Sequence, residues 1–274
     1  MPEIAYYPGC SLLSIARDIN EILFDVFREF GFSLKEVEDW NCCGSSSAHN
    51  INPDVSKRLA WRILAKSTPF KEILVICPNC YYRLKEGLYA LRFSSNQEEF
   101  YSFFGCEPPV DIKIVHFLEF LSRLDWSSFS ILKLKNLKLA PYYGCSLFSP
   151  PHLSSEVLRM GILEGILKKL GAEVILWRYA TQCCGTYLSV VRPDLITEII
   201  SQFMFESQKK GIEALVTPCV MCQFNIEIRC KTTKTVPVFH LIEIVALSLR
   251  KIEKKCLKHH FIDPVPLLEE KGLI

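Results

Sequence analysis

The cysteines of this chain form one pattern written twice. Cys10, Cys42-Cys43 and Cys77-Pro78-Asn79-Cys80 recur in the same order as Cys145, Cys183-Cys184 and Cys219-Val220-Met221-Cys222. The offset between copies is 135 at the first cysteine, 141 at the adjacent pair and 142 at the closing Cys-x-x-Cys. Glycine follows each pair, as Gly44 and Gly185. The first cysteines sit in related surroundings, Tyr6-Tyr7-Pro8-Gly9-Cys10-Ser11-Leu12 and Tyr142-Tyr143-Gly144-Cys145-Ser146-Leu147. A near-constant offset kept by a whole set of residues marks an internal duplication. Such a chain folds as two copies of one unit, and what the unit binds it binds twice.

The 274 residues hold two units of ordinary domain size. A first domain is expected at 1–125, a second at 137–256, and a C-terminal tail at 257–274, with 126–135 linking the halves. Strand and helix patterns alternate in each copy. The first reads as strand 4–7, helix 15–30 ending at Gly31, strand 33–37, helix 53–66 opened by Pro53, strand 72–76 and helix 80–91. The second reads as strand 137–143, helix 154–170, strand 173–177, a helix from Pro193 and strand 214–217. This alternation predicts an α/β fold of two pseudo-symmetric domains, each a small parallel sheet flanked by helices. Ligands of such sheets bind beyond the carboxyl ends of the strands. Every cysteine site lies at or just after a predicted strand end, so the sites of each half converge. Residues 92–111 read as an irregular insertion, 242–249 as an amphipathic helix, and 261–266 as an extended tail free to lie on a partner.

The start of the chain shows no basic stretch followed by a long apolar run, which predicts a cytoplasmic protein. The apolar runs are strand-sized, so no transmembrane segment is expected. With a net charge of +2 and both signs interspersed, nothing favours nucleic acid or an anionic membrane surface. Thirteen cysteines in a reducing compartment argue against structural disulfides, and adjacent cysteines bond each other only with strain. Metal binding or redox chemistry is the better use of them.

Thiolates bind zinc, copper(I) and iron–sulfur clusters. A structural zinc takes four ligands, and so does an ordinary cubane 4Fe–4S cluster. Five thiols per half therefore mean either a spare cysteine or a cluster in which some thiolates bridge irons, and zinc in one half stays open. Cys106, Cys230 and Cys256 fall outside the repeat and read as small buried hydrophobes. His116 and His240, in Val115-His116-Phe117-Leu118-Glu119 and Phe239-His240-Leu241-Ile242-Glu243, read as helix-start residues. His49 is near enough to Cys43 in sequence to reach the first site, but the second half has no counterpart. His259-His260 read as solvated.

The duplicated Cys…Cys-Cys-Gly…Cys-x-x-Cys, with Thr217-Pro218-Cys219-Val220-Met221-Cys222-Gln223-Phe224-Asn225 closing the second copy, resembles the CCG cysteine-rich domains of the heterodisulfide reductase B subunit. The resemblance runs from Tyr6 to about Glu253. It implies two noncubane 4Fe–4S clusters, one held by Cys10, Cys42, Cys43, Cys77 and Cys80, the other by Cys145, Cys183, Cys184, Cys219 and Cys222. It also implies a disulfide or thiol substrate between the clusters, each supplying one electron, and a role as catalytic iron–sulfur subunit. Electrons would come from a ferredoxin-like iron–sulfur C subunit and a flavin-containing A subunit, because this chain has neither a Gly-x-Gly-x-x-Gly motif nor a ferredoxin-type cysteine run. Related CCG domains serve 2-hydroxyacid and succinate or quinone-linked oxidoreductases, which makes an electron-relay subunit the alternative. The cysteine gaps are slightly short for the family, with 33 residues between Cys43 and Cys77 and 34 between Cys184 and Cys219. Thr186-Tyr187-Leu188 stands where methanogen enzymes are richer in glycine, which bears on the choice of substrate.

Overall fold

The structure, a computed structural model, describes residues 1–45, 48–148, 151–153 and 155–274. Among these, two four-stranded parallel sheets divide the chain. The first half runs β1 (Glu3–Tyr7), α1 (Gly9–Leu13), α2 (Arg17–Glu29), β2 (Ser33–Glu36), α3 (Ala48–Ile51), α4 (Pro53–Lys66), β3 (Glu72–Val75), α5 (Pro78–Ala90), α6 (Ser94–Phe104), β4 (Lys113–His116) and α7 (Phe117–Arg123). The second runs β5 (Lys138–Pro141), α8 (Ile162–Lys169), β6 (Glu173–Val174), α9 (Pro193–Lys209), β7 (Ala214–Thr217), α10 (Val220–Arg229), β8 (Val238–His240) and α11 (Leu241–Ser248). A final helix, α12 (Val265–Glu270), ends the chain.

Strand order is β2-β1-β3-β4 in one sheet and β6-β5-β7-β8 in the other. In each, the connections leave the first strand in opposite directions, so the switch point lies between β1 and β3, and between β5 and β7. That crevice is where an open parallel sheet receives a ligand. The central strands are apolar on both faces, as Ile73, Leu74 and Val75 in β3 and Ala214, Leu215 and Val216 in β7, which is what helices covering both sides demand.

Local chemistry sets the helix limits. Asn52 caps α4, its Oδ1 accepting from the amides of Asp54 (3.0 Å) and Val55 (3.2 Å), with Pro53 at the first helical position. Helix α2 turns Ile19, Ile22, Leu23, Val26 and Phe27 inward, a stripe at helical spacing. It packs against α11, which joins the two halves. Ser248 Oγ donates to the Leu132 carbonyl (2.8 Å) and Lys251 pairs with Glu29 (2.9 Å).

Several expectations need correcting. The stretch 92–111 contains α6, because Phe100 and Phe104 recur at helical spacing and Phe100 packs on Trp61 at 5.9 Å. The helix expected over 154–170 starts only at Ile162, behind Gly161 at φ 97°; Ser154 lies outside the described residues. Helix α11 is buried at every position rather than amphipathic, because it lies between the halves. The tail is neither extended nor free. It folds into a 3₁₀ turn (Lys254–Leu257) and α12, buries Leu268, and places His259 and His260 inside the protein. Their expected solvation fails because Glu227 and Glu243, themselves buried, draw them in. The strands end earlier than read, at Pro141 and Val174.

Deleting residues 259–274 would leave Glu227 and Glu243 without the histidines that face their charge. A cost of roughly 3–5 kcal/mol is expected for breaking such a pairing. Thermal unfolding of the truncated chain checks this, and a midpoint equal to that of the full chain would contradict it.

Candidate metal centre between the halves

Cysteine placement follows from the strand ends. Cys10 enters α1 three residues after β1, and Cys77 and Cys80 flank the start of α5 just after β3. Cys145 follows β5, and Cys219 and Cys222 flank the start of α10 after β7. The adjacent pairs arrive on the loops after β2 and β6. In the first half the Cys43 and Cys80 sulfurs are 3.3 Å apart and those of Cys10 and Cys42 4.0 Å. In the second, Cys184 and Cys222 are 3.5 Å apart, and Cys145 meets Cys183. No disulfide forms among them. All ten repeated cysteines are gathered into these two sets. Cys106, Cys230 and Cys256 are partly buried against the core and outside both. His49 lies on α3, and its Nδ1 has no hydrogen-bond partner among the described residues.

Two backbone devices repeat with the sulfurs. The amides following each pair point back at it, Gly44 N–H to Cys42 Sγ (3.5 Å) and Gly185 N–H to Cys183 Sγ (3.3 Å). The residue before each first cysteine has positive φ, 69° at Gly9 and 70° at Gly144, and a Cβ there would lie 3.0 Å from Cys80 Sγ or 3.1 Å from Cys222 Sγ. Only glycine serves at such a position.

A tyrosine then ties strand to loop. Tyr7 Oη donates to the Asn41 carbonyl (2.9 Å) and Tyr142 Oη to the Gln182 carbonyl (2.6 Å), each just before its cysteine pair. These tyrosines are three residues ahead of Cys10 and Cys145, so the matched spacing was in the sequence although their role was not. Asn225 fixes the second loop further, its Nδ2 donating to the Cys184 carbonyl (2.7 Å).

Crowded thiols cannot all ionise, and their hydrogen bonds decide which do. Contacts from Cys42 and then Cys80 hold Cys43 well below the ordinary thiol range, and Cys183 and Cys222 bring Cys184 down to about 4. Cys80 is pushed up, first by Cys43 and then by Cys77, and Cys222 by Cys184 and then Cys219. The second cysteine of each pair is thus drawn toward the thiolate, the form that ligates metals. In each half, five converging sulfurs with one aimed glycine amide, and a backbone kept clear of them by glycine, fit an iron–sulfur group.

The two sets share a wall. The cavity over the first, of about 140 Å³, is bounded by its five cysteines with Ser11, Ser45, Asn79, Thr186, Tyr187 and Met221. Asn79, Thr186, Tyr187 and Met221 also bound the cavity over the second set. Tyr187 crosses from the second half to the first, its Oη donating to the Ser45 carbonyl at 3.2 Å.

His116 and His240 stand behind the closing cysteines. Each caps its helix, Nδ1 accepting from Leu118 (3.2 Å) or Ile242 (3.4 Å), with Glu119 or Glu243 bonding back to the histidine amide. Burial pushes them down to about 3 and about 4, against the small pull of the carbonyls of Ile76 and Pro218, which precede Cys77 and Cys219.

Comparison with known proteins follows the same division. The profile of the CCG cysteine-rich domain matches residues 4–85 and again 139–227. This chain belongs to the CCG cysteine-rich domain family. Its full length is similar to a Wolinella succinogenes protein named 8-methylmenaquinol:fumarate reductase membrane anchor subunit, at 27% identity over 97% of this chain and 99% of that one. It is also similar to a protein of Archaeoglobus profundus named as like the heterodisulfide reductase B subunit, at 21% identity over 91% of each. The B subunit of the ferredoxin:CoB-CoM heterodisulfide reductase of Methanosarcina mazei matches at 23% over 65% of this chain and 66% of its own. In fold, a crystal structure of a hypothetical protein from Helicobacter pylori superposes with a TM-score of 0.76 at 10% identity, covering 94% of this chain, which spans 51% of that one. These CCG relatives include subunits of reductases. Among the described residues no helix of this chain is long and apolar enough to cross a membrane.

The two buried CCG histidines predict an acid-sensitive fold. Their native pKa lies below the unfolded value, so the stability they contribute is present above pH about 6.5 and lost as pH falls through about 4 toward 3. Denaturation midpoints should therefore drop on acidification from about pH 7 to about pH 5. His116→Asn, which keeps a capping acceptor without titrating, should flatten that slope; an unchanged slope would contradict the assignment.

Proposed function

We propose that this chain is the two-cluster redox subunit of a multi-subunit oxidoreductase. Cys10, Cys42, Cys43, Cys77 and Cys80 hold one noncubane 4Fe–4S cluster; Cys145, Cys183, Cys184, Cys219 and Cys222 hold the other. Its reaction is the reduction, or in reverse the formation, of a disulfide between them. The observation that carries this reading is the shared wall of Asn79, Thr186, Tyr187 and Met221. A substrate against that wall touches both sites at once, which suits a substrate with two sulfurs and a two-electron change.

Bound in these pockets, the clusters supply single electrons and Lewis-acidic iron. The chain's own residues do the rest. Tyr187 keeps its proton, because burial pushes its phenol up to about 12 against the pull of Ser45. Its hydroxyl, once it turns from the Ser45 carbonyl, is a donor for a sulfur that gains charge as the S–S bond opens, and Thr186 lies beside it. Met221 contributes an apolar face that excludes water. Electron entry belongs to partners, a ferredoxin-like iron–sulfur C subunit and a flavin-containing A subunit. Val190 and Val191, 86% and 74% exposed just after Tyr187, form an apolar edge beside the site for such a contact.

One observation favours a second reading, an electron-relay subunit of a quinone-linked or 2-hydroxyacid oxidoreductase. The similarity to the fumarate reductase subunit covers almost the whole of both chains. In that reading the same pockets pass electrons between partners and no disulfide enters.

Anaerobically reconstituted protein should hold about eight irons per chain, with Cys43→Ser and Cys184→Ser each disturbing the cluster of its own half. About four irons with one zinc would make one half structural. Disulfide reduction driven by reduced viologen separates the two readings. The disulfide reading expects turnover that Tyr187→Phe lowers roughly 10- to 100-fold, the worth of one hydrogen bond to a charged sulfur. Turnover with a menaquinol analogue and none with any disulfide would instead establish the relay.

A further inference from the structure

The C-terminal segment enters the most acidic buried spot of the molecule. Glu227 on α10 and Glu243 on α11 have side chains fully out of solvent, and among the described residues no lysine or arginine pairs with either. Two buried carboxylates call for two positive charges. What faces them is a pair of histidines. His260 Nε2 lies 2.9 Å from Glu243 Oε1, and His259 Nε2 lies 3.2 Å from the same oxygen. Each ring turns its other nitrogen to a further carboxylate. His260 Nδ1 is 2.9 Å from Glu227, and His259 Nδ1 is 3.6 Å from Asp18 on α2 of the first half.

Protonation alone balances this cluster poorly. The two rings are tilted against each other with centroids 4.6 Å apart, so charging both sets like charges side by side. His259 makes no hydrogen bond at either nitrogen although its side chain is 8% exposed, and the buried Gln223 Oε1 has no partner. The pocket demands positive charge beyond what its side chains bring.

We propose that Glu243, His259 and His260 bind a divalent cation, zinc by the chemistry of the set, which staples the C-terminal segment to the second half. One ligand atom from each residue lies within 4.8 Å of the others. The 2.9 and 3.2 Å separations around Glu243 Oε1 approach the spacing of about 3.3 Å between neighbouring ligands of a tetrahedral zinc with bonds near 2.0 Å. Glu227 stands behind the His260 ring at hydrogen-bond distance, the usual means of orienting a metal-bound histidine, and Asp18 lies 3.6 Å from the outer nitrogen of His259. Gln223 Nε2 donates to Glu243 Oε2 at 3.0 Å and lies 3.5 Å from His260 Nε2, so the amide holds the carboxylate from its other oxygen and leaves Oε1 to the cluster. A cation of charge two balances Glu227 and Glu243 together. Burial leaves no open position for a substrate, so the site is structural, and it uses no sulfur.

Metal analysis and zinc K-edge X-ray absorption of the full-length, anaerobically purified protein, expressed with zinc supplied and then dialysed, test this. About one zinc per chain is expected, with nitrogen and oxygen scatterers only. His259→Ala, which removes no hydrogen bond, should lose at least about nine-tenths of that zinc with iron content unchanged. Protein without zinc, zinc with sulfur scatterers, or full zinc retention in His259→Ala would each overturn the proposal. The wild-type spectrum alone decides the matter should that variant fail to fold.

Discussion

Holding five thiols in one pocket is the constraint on which the rest of this structure depends. Sulfurs 3.3 to 4.0 Å apart share protons and repel one another once ionised, so they do not gather by themselves. The parallel sheet gathers them by bringing the ends of β1 and β3, or β5 and β7, side by side at a switch point. Glycines at positive φ let the backbone pass close beneath a sulfur, and a tyrosine hydroxyl ties each cysteine-pair loop to the neighbouring strand end. The downward pull on the Cys43 and Cys184 thiols is a consequence of this crowding. Any loss of the tyrosine or the glycine acts on the site through backbone position before it acts on chemistry.

Duplication gives this unit its second use. The halves meet through α2 and α11, and the loop after the second cysteine pair reaches across, so that Tyr187 bonds to Ser45 of the first half. Two sites that would each face solvent in an isolated domain instead share Asn79, Thr186, Tyr187 and Met221. Similarity to heterodisulfide reductase B proteins and to a fumarate reductase subunit fits one architecture with different traffic through it.

The sequence carried the repeat, the α/β alternation and the convergence of the cysteines, because each rests on spacing along the chain. Helix α4 was legible from Pro53 and its apolar period, and the capping roles of His116 and His240 from their place before a helix. The C-terminal segment was not legible. Its histidines look solvated in a stretch with Lys254, Lys255 and Lys258, and only the fold brings Glu227 and Glu243 beneath them. Helix α6 was hidden by the polar residues around its one buried side chain, Phe100. Tyr187 stood out only as part of the loop after Gly185; that it spans both sites is a property of the packed halves.

The central claim is that two clusters, one in each half, face one another across a shared wall. Electron paramagnetic resonance of the fully reduced protein tests it most directly. Two paramagnets so placed should couple, broadening or splitting the signals, and Cys184→Ser should collapse the spectrum to that of one isolated centre. Signals of two magnetically independent clusters, or of a single cluster in the unaltered chain, would contradict the account.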